Sequence, residues 1–433
     1  MPFTKYIQMK PKSVILFFAL LAQCVIASAQ DQSHQFFFGS SKKALAGFKT
    51  VSNDQVYSDQ QEFGYDNGTT AGTGKPFYFS VKVPEGNYLV TVKLGDAVRS
   101  TTATVKAESR RLMLEKVKTA PAKYITASFV VNIKNRNITG GKVVGLKPRE
   151  LTKLDWDDKL TLEFDQQTVI NTLTITPAKD QVTIYLAGNS TVVNQEDEPW
   201  ASWGQMIPRF FKPGVAIANH AESGLTLGSF LGSRRLDKIM SVIKPGDYLF
   251  IEFGHNDQKD KGENDGAWKS YTERLTVFVE QARSKGAIPV IVTSTSRRSF
   301  GPDGKIVNSL GDFPAAAKKV AAAQKVALID LNDMSAKFYE ALGEEQSKKA
   351  FVHYPANVYP GQDKPLADNT HFNPYGAYEL AKCIVQGIRD NKLGLQKYLV
   401  KGLPVFDPAH PDPVAEFNWA ESPAKATVKP DGN

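Results

Sequence analysis

Cysteine is almost missing. The 433-residue chain carries two, Cys24 and Cys383, and Cys24 lies in a segment expected to be cleaved away. One remaining thiol excludes an internal disulfide framework, so an exported form must rely on its hydrophobic core. It also excludes a Cys-x-x-Cys or clustered Cys/His metal pattern. Long apolar stretches are lacking too: the run Val14–Ala22 is short for a membrane span. No internal repeat is present. The formal net charge of +8 is diffuse, sits before residue 181, and leaves the second half close to neutral. That pattern gives no nucleic-acid footprint, and is compatible with a polyanionic polysaccharide or a generic solvated surface.

What is there begins with an address. Lys5, Lys10 and Lys12 precede the apolar run, and Ala27-Ser28-Ala29 follows it. This charged, apolar, small-residue order is that of a secretory signal. The sequence predicts a signal peptide over residues 1–29 and a secreted or periplasmic protein without a membrane span. Leu21-Ala22-Gln23-Cys24 has the outline of a lipoprotein box. Gln23 is bulky where a small residue is needed, which argues against a lipid anchor.

At this length two domains are the natural expectation. Residues 31–178 read as an all-β sandwich of short alternating strands separated by turn residues. Phe77–Val83 and Tyr88–Leu94 flank Pro84-Glu85-Gly86-Asn87 and predict a hairpin; Thr101–Ala107, Ala127–Ile133, Lys159–Phe164 and Val169–Ile175 follow. Tyr57, Phe63 and Tyr65 suit either the core or a sugar platform. From 181 to 400 the pattern changes to alternating strands and helices. The strands are Val182–Ala187, Val215–Asn219, Tyr248–Phe253, Pro289–Thr293 and Ala327–Leu331; the helices are Trp268–Lys285, Phe313–Lys325, Asp333–Ala350 and Pro374–Asp390, with Asn373 as cap. Such apolar strands with helical crossovers imply a parallel sheet covered on both faces. Residues 401–433 form a proline-rich tail whose last dozen residues are expected to be mobile.

Four islands in the second half carry chemistry. They are Gly188-Asn189-Ser190, then Asn219–Gly224, then Gly254-His255-Asn256-Asp257, and finally Asp368-Asn369-Thr370-His371 on a predicted loop. Each follows a strand or lies in a late loop, and so falls on the rim where open α/β sheets bind ligands. A serine hydroxyl is a weak nucleophile and needs a base such as histidine. The base needs an acceptor to fix its tautomer. Asp368, three residues before His371, can fold back to serve. A developing oxyanion needs donors already aimed at it, and the Ser190 N–H, the Gly224 N–H and the Asn256 amide can supply three. Taken singly these residues have plainer readings: Ser190 and Gly224 suit turns, Asn256 suits a helix cap, His220 and His255 suit packing, and Glu222 suits solvent.

Ser190, Gly224, Asn256 and His371, with Asp368, resemble in order the four blocks of the SGNH (GDSL-type) hydrolases. Within that superfamily Ser190-Thr191-Val192, Trp200–Gly204, Gly254–Gln258 and Asp368–Phe372 resemble rhamnogalacturonan acetylesterases. The resemblance implies a flavodoxin-like three-layer α/β/α domain behind a galactose-binding-like sandwich. It further implies a serine-ester mechanism with no metal or cofactor, catalytic Ser190, Asp368 and His371, and an acetylated polysaccharide or oligosaccharide as substrate. The first block departs from the family's Gly-Asp-Ser, since Asn189 removes a charge beside the serine.

Substrate contacts are less specific. Arg297 and Arg298 suit uronic carboxylates, and Trp200 could stack on sugar or simply pack. Two other functions stay open at this point: an esterase acting on xylan or another ester, and a non-catalytic glycan-binding protein on a hydrolase scaffold.

Overall fold

The computed structural model describes residues 33–39, 45–423 and 428–430. The expected signal peptide lies outside them, as do most of the last dozen residues. Among the described residues no helix is long and apolar enough to cross a membrane.

The first half forms two five-stranded, mainly antiparallel sheets. One orders Lys49–Thr50, His34–Phe37, Ile170–Pro177, Gly86–Leu94 and Ile125–Ile133; the other orders Phe63–Asp66, Phe77–Lys82, Lys159–Phe164, Thr101–Ala107 and Arg111–Thr119. Alternate residues of both sheets, among them Phe79, Val81, Val90, Val92, Leu162 and Leu173, interdigitate in one core. Tyr65 belongs to that core, edge-on to Phe77 and Phe79. The predicted hairpin does not form. Phe77–Lys82 pairs with Phe63–Asp66 and Lys159–Phe164, whereas Gly86–Leu94 pairs with Ile170–Pro177 and Ile125–Ile133. The link at Pro84 and Glu85 carries the chain from one sheet to the other, which lets both apolar faces enter the same core. Arg111–Thr119 is a further strand, and its Glu-Lys-x-Lys half hides the alternation.

In the second half five parallel strands, β1 (Val182–Gly188), β2 (Val215–Asn219), β3 (Tyr248–Glu252), β4 (Ile288–Val292) and β5 (Ala327–Ile329), are ordered β2-β1-β3-β4-β5. This is the flavodoxin-like order, with its switch point beside β1. The helices are α1 (Trp203–Met206), α2 (Leu227–Gly232), α3 (Arg235–Val242), α4 (Thr272–Ser284), α5 (Phe313–Gln324), α6 (Leu331–Ser347) and α7 (Pro374–Asp390). Period-two alternation splits the strand side chains between two cores. Ile184, Leu186, Ile217, Phe250 and Val290 pack with α1, α6 and α7. Tyr185, Ala187, Ala218, Leu249 and Ile251 pack with α2 to α5. The result is three layers, α/β/α.

Two details position the rim. Asp368 and His371 lie not on a loop but on β7 (Leu366–Phe372), antiparallel to β6 (Phe351–Tyr354). The Phe372 carbonyl accepts from the Ala201 N–H at 2.9 Å, which ties this ribbon to the segment after Ser190. Beyond it Asn373 caps α7 as the sequence predicts, accepting from the Gly376 N–H at 3.1 Å.

The halves are tightly joined. Arg111 donates to the Ile217 carbonyl of β2 at 3.0 Å, and Asn87 donates to Thr183 of β1 at 2.9 Å. Glu150 and Arg235 of α3 make a 2.5 Å ion pair with both side chains fully buried. The tail then runs back against both halves: the Trp419 indole N–H donates to Glu198 of the second half at 2.8 Å, and Ser422 donates to Glu163 of the first at 3.0 Å.

Candidate active site

β1 ends at Gly188, and its glycine is required for space. A Cβ there would lie 2.5 Å from Val192 Cγ2 and 3.2 Å from the Glu252 carbonyl oxygen. The turn that follows presents the Ser190 hydroxyl, 2.8 Å from His371 Nε2. On the other side of the ring, His371 Nδ1 lies 2.8 Å from Asp368 Oδ2. Asp368 Oδ1 meanwhile accepts from the backbone N–H groups of Thr370 and His371, at 2.8 and 3.0 Å. Burial pushes the Asp368 carboxyl up, but His371 and these N–H groups outweigh it and hold it well below the usual carboxylate range. An ionised carboxylate only accepts, so Nδ1 carries the ring hydrogen and Nε2 is left to accept from Ser190.

The second island meets the end of β1, where the Glu222 N–H donates to the Gly188 carbonyl at 3.3 Å. Gly224 takes a φ of +79°, the left-handed region that favours glycine. Among the described residues neither the Ser190 N–H nor the Gly224 N–H donates to a protein acceptor. Asn256 donates one amide hydrogen to the Leu225 carbonyl at 3.2 Å, which leaves the second. Its oxygen accepts from Lys259 Nζ at 3.2 Å. Asp257 ties the third island to the start of α2, accepting from the Leu227 N–H at 2.8 Å and the Gly254 N–H at 2.9 Å. Burial raises its carboxyl to about 7.

Asn189 is fully buried. Its side-chain oxygen accepts from the Thr191 N–H and hydroxyl, at 3.1 and 3.0 Å. The Thr191 oxygen also lies 2.7 Å from Glu252 Oε1, and the Trp203 indole donates to Glu252 Oε2 at 2.5 Å. Burial lifts the Glu252 carboxyl to about 7. A protonated Glu252 can donate to Thr191, which in turn donates to Asn189, giving a neutral chain beneath the serine turn.

Several sequence expectations are corrected. Trp200 is 1 % exposed and offers no face to a sugar. Arg298 is buried as well, donating to Ser347 at 3.0 Å, to Asn369 at 3.0 Å and to the Glu344 carbonyl. Arg297 stays half-buried beside the triad, and among the described residues its hydrogen bonds are long contacts of 3.4 and 3.5 Å to carbonyls. Glu222 is not in solvent: it is 1 % exposed and paired with Arg149 and Lys153. Burial pushes its carboxyl up, and the two cations outweigh that and leave it lowered. His220 packs edge-on against Trp156. His255 Nε2 lies 2.7 Å from the Thr295 carbonyl, and burial lowers it to about 3, so it is neutral. Gln195 and Glu252, which touch the serine turn, carry no signal in the sequence. Gln195 donates to the Ser190 carbonyl at 2.8 Å, a contact across a loop that no local pattern signals.

The model of the GDSL-like Lipase/Acylhydrolase family matches residues 186–377. Rhamnogalacturonan acetylesterase RhgT of Bacillus subtilis is 42 % identical over 224 residues, covering 51 % of this chain and 96 % of RhgT. The chain belongs to the GDSL-like lipase/acylhydrolase family. It is therefore a carboxylic-ester hydrolase. Probable rhamnogalacturonan acetylesterase YesY of the same organism is 34 % identical, over 50 % of this chain and 97 % of YesY. Uncharacterized esterase YxiM, also from Bacillus subtilis, is 25 % identical over 415 residues, which is 88 % of this chain and 98 % of YxiM. By these coverages RhgT and YesY correspond in length to about half of this chain.

Proposed function

We propose that this GDSL-like hydrolase is an exported carbohydrate esterase that removes O-acetyl groups from pectic polysaccharide of the rhamnogalacturonan type. The observation that carries the reading is the continuous chain Ser190 Oγ, His371 Nε2, His371 Nδ1, Asp368 Oδ2, with 2.8 Å at each hydrogen bond. In this reading Ser190 Oγ attacks the acetyl carbonyl carbon while His371 Nε2 takes its proton. The carbonyl oxygen gains negative charge and receives the N–H groups of Ser190 and Gly224 and the free hydrogen of Asn256. Collapse breaks the ester C–O bond, and the sugar oxygen leaves with the proton from His371. Water, giving a proton to His371 Nε2, then attacks the carbonyl of acetyl-Ser190; the acyl C–O bond breaks, Ser190 Oγ takes that proton back from His371, and acetate is released.

The substrate class rests on likeness to RhgT and YesY, whose names specify rhamnogalacturonan acetylesterase. Arg297 supports it, since a guanidinium with weak internal partners beside the triad suits a galacturonate carboxylate. Export rests on the signal pattern of residues 1–29, and the division into sandwich (31–178), hydrolase (181–400) and tail (401–433) belongs to the same reading. Acetate release from acetylated rhamnogalacturonan beside acetylated xylan tests the substrate. The reading expects preference for the first, reduced by Arg297→Ala mainly through KM. Equal or greater release from xylan, unchanged by that substitution, overturns the pectic assignment.

A further inference from the structure

One contact of the sandwich with the candidate site falls on the Ser223–Gly224 peptide bond. Lys147 Nζ donates to the Ser223 carbonyl oxygen at 2.7 Å, and Arg149 donates to the same oxygen at 3.2 Å. Ser223 is 1 % exposed. The bond these cations grip runs from the Ser223 carbonyl to the Gly224 N–H. In a trans peptide the C=O and N–H point in opposite directions. Anchoring the oxygen toward the sandwich therefore turns the Gly224 hydrogen away from it. Hydrogen bonds to a carbonyl also polarise the amide, and linked bonds strengthen one another by about 10–30 % each.

The grip is itself fixed. Lys147 precedes the short turn Pro148–Thr152 and its N–H donates to Glu150 at 2.8 Å. Glu150 is held in turn by buried Arg235 at 2.5 Å. On the other flank, Glu222 is held by Lys153 at 3.0 Å, accepts from the Ser223 N–H at 2.9 Å, and its own N–H donates to the Gly188 carbonyl at 3.3 Å. The left-handed Gly224 is thus bounded by fixed groups on both sides.

We propose that the sandwich is a working part of the ester site, with Lys147 and Arg149 as positioning residues that orient and polarise the Gly224 N–H for the oxyanion. This rests on the reading of Gly224 as an oxyanion donor. Neither cation lies within the family match, which begins at residue 186, so the device belongs to this chain's first half.

The test is a graded series at Lys147 in the full chain: Lys147→Arg, Lys147→Gln and Lys147→Met, assayed on p-nitrophenyl acetate beside Ser190→Ala. The expected kcat order is Arg, then Gln, then Met, following donor charge. Lys147→Met should lose about 10-fold, less than the 10²–10³ seen when an oxyanion donor is removed outright. KM should stay within twofold and Lys147→Arg should recover most of the rate. If Lys147→Met does not fold, the Arg-to-Gln comparison carries the test alone. Equal kcat across the folded variants overturns the proposal. So does a loss that tracks melting temperature rather than donor charge, because that marks a purely structural contact. Activity surviving in Ser190→Ala would instead overturn the underlying reading of Ser190 as the nucleophile. A dead Ser190→Ala with an unaffected Lys147 series sinks only the positioning role.

Discussion

Two carboxyls near the serine turn behave in opposite ways. Asp368 faces an imidazole and two backbone N–H groups and is held ionised. Among the described residues Glu252 is met by an indole N–H, a threonine and the Thr295 backbone, and burial raises it to about 7. A carboxyl whose folded value lies above its unfolded one favours folding when protonated. Its contribution is present below the ordinary glutamate value and is lost as pH rises toward 7. Glu252→Gln cannot titrate, so wild type should lose stability relative to this variant between about pH 4.5 and 7, on the order of 3 kcal/mol. Urea unfolding of both proteins at several pH values measures this, and a constant difference would contradict it. At this scale the hydrogen-bonded arrangement of Ser190, His371 and Asp368 was legible because its residues come in short local patterns. Glu252 and Gln195 were not, since their partners lie 61 and 5 residues away across turns whose geometry the sequence does not encode.

Among the elements, β1 and the turn after it carry the greatest constraint. Gly188→Ala would set a methyl 2.5 Å from Val192 Cγ2. Overpacking of this kind costs about 1–3 kcal/mol, and here it also displaces the serine turn. The variant should remain folded at a lower melting temperature with a kcat reduced at least about 10-fold; wild-type values of both would show that the turn has slack. The parallel strands were legible from unbroken apolar runs, and α7 from Asn373-Pro374 at its start. The hairpin expectation failed because a turn signal specifies a reversal of the chain, not which sheet receives the next strand. The Asp368–His371 segment looked like a loop because Asp, Asn and Thr dominate it. Its pairing partner, Phe351–Tyr354, holds it as a strand.

For the molecule as a whole, the sandwich and the hydrolase half share buried charge that neither half satisfies alone. Glu150 and Arg235 are both fully buried in their pair, and Lys238 pairs with Glu85 at 2.7 Å. Removing one partner of such a pair leaves an unpaired buried charge, costing about 3–5 kcal/mol. Arg235→Leu should lower unfolding free energy by that amount, measured by urea denaturation; a loss under about 1 kcal/mol would mean the halves are held mainly by other contacts. None of this joining was visible in the sequence, where Glu150 and Arg235 are ordinary surface types 85 positions apart.

The most direct measurement is acetate release from acetylated rhamnogalacturonan by the wild-type protein and by Ser190→Ala. The catalytic account predicts release by the wild type and a loss of at least about 10³-fold in the variant at an unchanged melting temperature. Release by the variant close to that of the wild type would contradict it.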